Sequence, residues 1–117
     1  MKTSSSKAKG RRLQNWVRDQ LLALFPNLKG HITCATMGET GADIKLSPTA
    51  QNLLPYVIEC KNKEAGFTAV YDAYEQAHNN NNGKYLTTLA VIKQNHKQPL
   101  VVISADAFFE MIKESNA

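Results

Sequence analysis

The chain has no apolar stretch approaching the length of a membrane span, no internal repeat, and no C-x-x-C or Cys/His ligand spacing. A spanning helix needs about 20 mainly apolar residues, so the sequence predicts a protein that does not cross a membrane. The segment from Met1 to Gly10 offers lysines and serines where a secretory signal would carry an apolar region, which places the expected location in the cytoplasm. There are only two cysteines, Cys34 and Cys60, both in expected strands. That count and spacing read against a structural zinc site and favour buried free thiols. His31, His78 and His96 share no ligand spacing and read as surface or loop residues. With 117 residues, 43% of them hydrophobic, the chain is long enough for one domain with a real core and too short for two.

Charge is concentrated at one end. Lys2, Lys7, Lys9, Arg11 and Arg12 give the first twelve residues +5 against a net charge of +4, which leaves −1 for the other 105. A Ser-rich, Lys/Arg-rich arm over residues 1–10, followed by a near-neutral domain over 11–117, reads in two ways. It can neutralise phosphates and release counterions, giving sequence-independent affinity for nucleic acid, or it can serve as a flexible solubilising tail.

Leu13, Val17, Leu21 and Leu24 recur at helical spacing between Arg11 and Phe25, flanked by Trp16, and Pro26-Asn27 ends the run. His31 to Thr36 and Ala42 to Leu46 read as strands around the turn Gly38-Glu39-Thr40-Gly41. A Ser-Pro loop follows. The apolar run into Tyr56 to Lys61 predicts an interior strand covered on both faces. Thr68 is placed to cap a second helix reaching Asn79, with Phe67, Val70, Tyr71 and Tyr74 on its apolar side, before the Asn79 to Gly83 loop. Two more strands, Tyr85 to Lys93 and Leu100 to Ile103, precede a last helix capped by Ser104. The expected fold is α/β in the order α-β-β-β-α-β-β-α, a mixed central sheet flanked by helices.

Chemistry-bearing residues cluster at expected strand ends. Asp43 opens one strand, and Glu59-Cys60-Lys61 closes another. Alternation along a strand puts Glu59 and Lys61 on one face and Cys60 on the other. Two carboxylates and an ammonium are hard groups suited to a magnesium ion, which keeps waters and leaves room for a phosphate, so the pattern points to phosphodiester hydrolysis. The same triplet also reads as an ordinary surface ion pair.

Gly41-Ala42-Asp43-Ile44 followed by Val57-Ile58-Glu59-Cys60-Lys61 resembles the PD-(D/E)xK nuclease superfamily, and more narrowly the archaeal-type Holliday junction resolvases. Lys9-Gly10 ahead of the first helix, and Tyr74-Glu75-Gln76-Ala77 on the second, extend the resemblance. It implies a restriction-endonuclease-like core. It also implies Asp43 and Glu59 as metal ligands, the Cys60 main-chain carbonyl as a third, and Lys61 as the group that polarises the attacking water. Magnesium is the implied cofactor, with manganese able to substitute. Lys7, Lys9, Arg11, Arg12, Gln76 and Lys93 are the candidate DNA contacts.

Four residues after Gly10, where those resolvases usually carry a glutamate, the chain has Gln14. By helical geometry Gln14 lies about 20° around the helix from Leu21, at the border of the core-facing stripe. An amide oxygen can ligate a metal or orient water but cannot act as a base, and Glu39 is the candidate for the missing negative charge. The expectation is a magnesium-dependent endonuclease on branched DNA, homodimeric because two symmetric cuts need two sites, and of a build that suits a phage. The alternatives are a nicking or general DNA nuclease with the same site, or a nucleic-acid-binding module with a degenerate one.

Overall fold

The computed structural model describes residues 2–81 and 85–116, so Asn82 and Gly83 of the expected asparagine loop, and Lys84 after it, lie outside the described residues. The chain is mixed α/β, with four helices and two separate two-stranded antiparallel sheets among the described residues. It divides into two compact units, one ending at Lys63 and the other spanning Glu64–Ser115, where length alone predicts a single domain. Residues 61–66 between them are exposed and irregular, the usual character of a unit boundary. No helix among the described residues is long and apolar enough to cross a membrane.

In the first unit, helix α1 (Lys2–Leu24) starts well before Arg11. The basic segment expected as a separate arm is therefore the opening turns of a 23-residue helix. Leu21 of the expected stripe is 1% exposed, while Leu13, Val17 and Leu24 are half-buried. A 3-10 turn at Pro26–Leu28 reverses the chain and buries Leu28. Strands β1 (Ile32–Cys34) and β2 (Ile44–Leu46) then pair antiparallel with Thr33 opposite Lys45, and α1 packs on β1. Backbone bonds outside the assigned strands continue the hairpin at both ends: Ala35 N–H to Asp43 O (2.8 Å) and Ser47 N–H to His31 O (2.9 Å).

The expected Ser-Pro loop is helix α2 (Pro48–Leu53). Proline at the first helical position is pre-set for helical φ, and Ser47 Oγ accepts from Ala50 N–H at 3.1 Å while lying 2.8 Å from His31 Nδ1. Ser47→Ala is expected to cost about 1 kcal/mol through the lost cap, measurable as a lower chemical-denaturation midpoint. An unchanged midpoint would show that water replaces the hydroxyl without loss. Helix α2 packs on β2 and delivers Ala50 and Leu54 to the core, both 0% exposed.

The interior strand expected over Tyr56 to Lys61 does not form. Asp43 N–H donates to Ile58 O at 3.1 Å, as a ladder would begin. The next donor, Cys60 N–H, goes to the Asp43 side chain (Oδ2, 2.7 Å), and Asp43 O is already taken by Ala35. With the side chain intercepting the rung, the segment is left without strand structure. Nor is it covered on both faces: Val57 is 86% exposed, and Glu59 and Lys61 are exposed with it, while Ile58 and Cys60 are half-buried.

In the second unit, helix α3 (Thr68–Asn79) has Phe67 at its N-cap with no side-chain capping bond, so Thr68 is the first helical residue and not the cap. Val70 and Tyr74 are half-buried, but Tyr71 is 63% exposed. Strand β3 (Ala90–Ile92) is shorter than the Tyr85 to Lys93 run, and it pairs antiparallel with β4 (Leu100–Val102) in the register Val91 opposite Val101. A mixed sheet is thereby replaced by two antiparallel pairs, because β3 returns directly through a turn closed by Lys97 N–H to Gln94 O (3.0 Å). Helix α4 (Ala105–Ser115) is capped by Ser104, whose Oγ accepts from Ala107 N–H at 3.1 Å, and it buries Ile112.

Candidate active site

Residues 7, 10, 11 and 14 follow the i, i+3, i+4, i+7 pattern, so Lys7, Gly10, Arg11 and Gln14 share one face of α1. All four line a cavity of ≈480 Å³ in the first unit, together with Met37, Glu39 and Asp43. A Cβ at Gly10 would meet no other atom within 4 Å, so the bare backbone there adds open space to the cavity. Glycine inside a helix costs roughly 0.5–1 kcal/mol against alanine.

The loop that brings Glu39 to the cavity is tied to itself. Glu39 Oε1 accepts from Thr36 N–H (2.8 Å) and Thr36 Oγ (3.1 Å), and Oε2 pairs with Lys45 Nζ at 3.0 Å. The Thr36 backbone bond, reinforced by Lys45, holds the Glu39 carboxyl below its ordinary value. Lys45 Nζ also donates to Thr40 O at 2.9 Å. Gly41 sits at φ 97°, and a Cβ on it would lie 3.2 Å from that ammonium, so both backbone and space favour glycine at this turn. Sequence reasoning missed Lys45. The signal was present as Asp43-x-Lys45, the same strand alternation that joins Glu59 to Lys61.

Asp43 is half-buried just before β2, with Oδ2 held by Cys60 N–H and no cationic partner among the described residues. Burial, with the Asp43 charge next in weight, pushes the Cys60 thiol up to about 11. A thiol so shifted is protonated near neutral pH and is no nucleophile. Cys34 is likewise free and raised by burial, so neither cysteine supplies a reactive sulfur.

The structure thus gathers Gln14, Glu39, Asp43, Lys7 and Arg11 around one cavity and attaches Cys60 to Asp43 through its backbone. Glu59 and Lys61 are exposed on the irregular segment and are not among the lining residues, while Lys9 is half-buried and Arg12 exposed on α1. Gln76, on α3, and Lys93, after β3, belong to the second unit. Among the described residues no group of three or more His, Cys, Asp and Glu side chains is gathered as a metal cluster. The donors present are nonetheless hard oxygens, and magnesium takes only one or two protein carboxylates; among the described residues, Asp43 is the cavity carboxylate that forms no ion pair, whereas Glu39 pairs with Lys45. Comparison with models of protein families, with curated proteins and with solved structures finds no match to this chain.

Proposed function

We propose that the chain is a magnesium-dependent DNA endonuclease of the PD-(D/E)xK type, with a restriction-endonuclease-like core, acting on branched DNA as a homodimer. The reading is carried by one observation: Gln14 from α1 and Glu39 and Asp43 from the β1–β2 connection line one cavity with the cationic Lys7 and Arg11. Asp43 would hold the metal from the cavity, with Glu59 and the Cys60 carbonyl, which the structure leaves outside the cavity lining, as the further ligands and manganese as a substitute; the ion would supply a nucleophilic water at neutral pH and offset phosphate charge. Lys7 and Arg11, one helical turn apart, present the positive charge that a phosphate backbone requires. Gly10 leaves room for that backbone to approach. Lys61, exposed beside Glu59, is free to order water or contact a phosphate when substrate binds.

A binding module with a degenerate metal site is the second reading. It is favoured by the Glu39–Lys45 pair, which uses a candidate carboxylate as a loop clip, and by Gln14 where an acid is expected. One assay separates the two. A four-way junction, a nicked duplex and single-stranded DNA are incubated with the protein in magnesium, manganese or EDTA. Cleavage of the junction with either metal and none in EDTA is expected. Binding that survives in EDTA, with no substrate cut under any condition, would replace the nuclease by the binding module.

A further inference from the structure

The second unit holds a cavity of its own, ≈490 Å³, in the size range of small-ligand sites. Its lining joins the apolar side chains of Val70, Ile92 and Leu100 to Lys93, Gln94 and Lys97. Val70 on α3 and Ile92 on β3 are half-buried, and Leu100 on β4 is 55% exposed beside them. The polar members come from the β3–β4 loop, where the bond from Lys97 N–H to Gln94 O and a positive φ of 67° at His96 bend the chain. That bend returns Lys97 to the cavity that Lys93 already lines. Charge complementarity indicates the occupant. From Gln76 to Ala105 the sequence contains no aspartate or glutamate, so the two ammonium groups stand in a segment without a carboxylate of its own.

We infer that this cavity is a second nucleic-acid site, taking one unstacked nucleotide of a single strand: its base against Val70, Ile92 and Leu100, its flanking phosphates on Lys93 and Lys97. An apolar surface accepts the face of any base, an amide such as Gln94 can both donate to and accept from a base edge, and the lysines neutralise phosphate without reading sequence. A duplex keeps its bases stacked and cannot fill such a pocket, so the site selects unpaired segments such as those at a branch point. The inference rests on the nucleic-acid part of the proposed function and not on its hydrolytic step.

The test uses the full chain in EDTA, with a fluorescent twelve-nucleotide thymidine strand, the same strand carrying abasic positions, and dTMP alone. The wild-type protein is expected to bind the intact strand about tenfold more tightly than the abasic one, in keeping with about 1–3 kcal/mol per stacked base. It is expected to bind dTMP far more weakly, since a free nucleotide lacks the second phosphate. The Lys93→Glu/Lys97→Glu pair should weaken strand binding at least tenfold, and the milder Lys93→Ala/Lys97→Ala pair should lower the log–log salt slope by about 1.4, or about 0.7 per phosphate. All these positions are exposed, and an unchanged circular dichroism spectrum checks the fold. Unchanged affinity and slope in both pairs overturn the site, and equal binding of intact and abasic strands overturns the base pocket. Strand binding that depends on Lys93 and Lys97 in a protein that cuts nothing would end the nuclease reading and leave this one standing. Cleavage indifferent to both lysines, with strand affinity also unchanged, would do the reverse.

Discussion

Asp43→Asn is expected to lower magnesium-dependent cleavage of a four-way junction by at least about 100-fold, since weakening even the outer partners of a metal ligand costs 10–100-fold. Binding of the junction in EDTA should stay within a few-fold of wild type. The substitution separates charge from architecture. Asparagine keeps a side-chain oxygen able to accept from Cys60 N–H, so the tether at 2.7 Å survives while the carboxylate charge is lost. Asp43→Ala removes both and is expected to destabilise the protein as well, by about 1.5–3 kcal/mol for a hydrogen bond to a charged group. Lys61→Ala should follow Asp43→Asn in activity but not Asp43→Ala in stability, because Lys61 is exposed. Near-normal cleavage by Asp43→Asn would remove Asp43 from the active site, and a stable Asp43→Ala would show that the tether contributes little.

The second large effect concerns Leu54. Its side chain is 0% exposed at the end of α2, where its N–H donates to Ala50 O at 2.8 Å. Truncating a buried leucine to alanine costs about 2–5 kcal/mol, a large share of the 5–15 kcal/mol that typically holds a domain together. Leu54→Ala should therefore shift the denaturation midpoint strongly, and should loosen the segment that begins at Pro55 and carries Cys60 to Asp43. Val57→Ala, three residues on but 86% exposed, is expected to change stability by less than about 0.5 kcal/mol. Equal effects at the two positions would mean that Tyr56 to Lys61 is packed as an interior strand after all.

Much of the local structure was legible because it depends on neighbours in the chain. The 3.6-residue stripe from Leu13 to Leu24, the Pro26 stop, the Ser104 cap and the two hairpins all follow from short-range patterns. The Ser47-Pro48 start of α2 reads as a loop, because Ser-Pro serves equally as a turn until Ala50 N–H is seen to reach the hydroxyl. The run into Tyr56 to Lys61 misled for a different reason. Apolar residues in sequence announce a strand only if backbone partners are available, and the Asp43 side chain takes the Cys60 N–H that a neighbouring carbonyl would have received.

By itself the sequence determined the helix periods, the turn residues, the concentration of positive charge near the start, and the identities of Asp43, Glu39 and Gln14 as the residues to examine. Each of these depends on residue type and spacing along a few turns or one strand. Only the tertiary structure decided that Gln14, Glu39 and Asp43 line one cavity, that Lys45 claims Glu39, that Glu59 and Lys61 stay in solvent, and that the chain forms two units. Those outcomes depend on which distant backbone donor meets which acceptor, and on which face of a helix meets a loop twenty or more residues away. Local propensity carries no information about such long-range pairings.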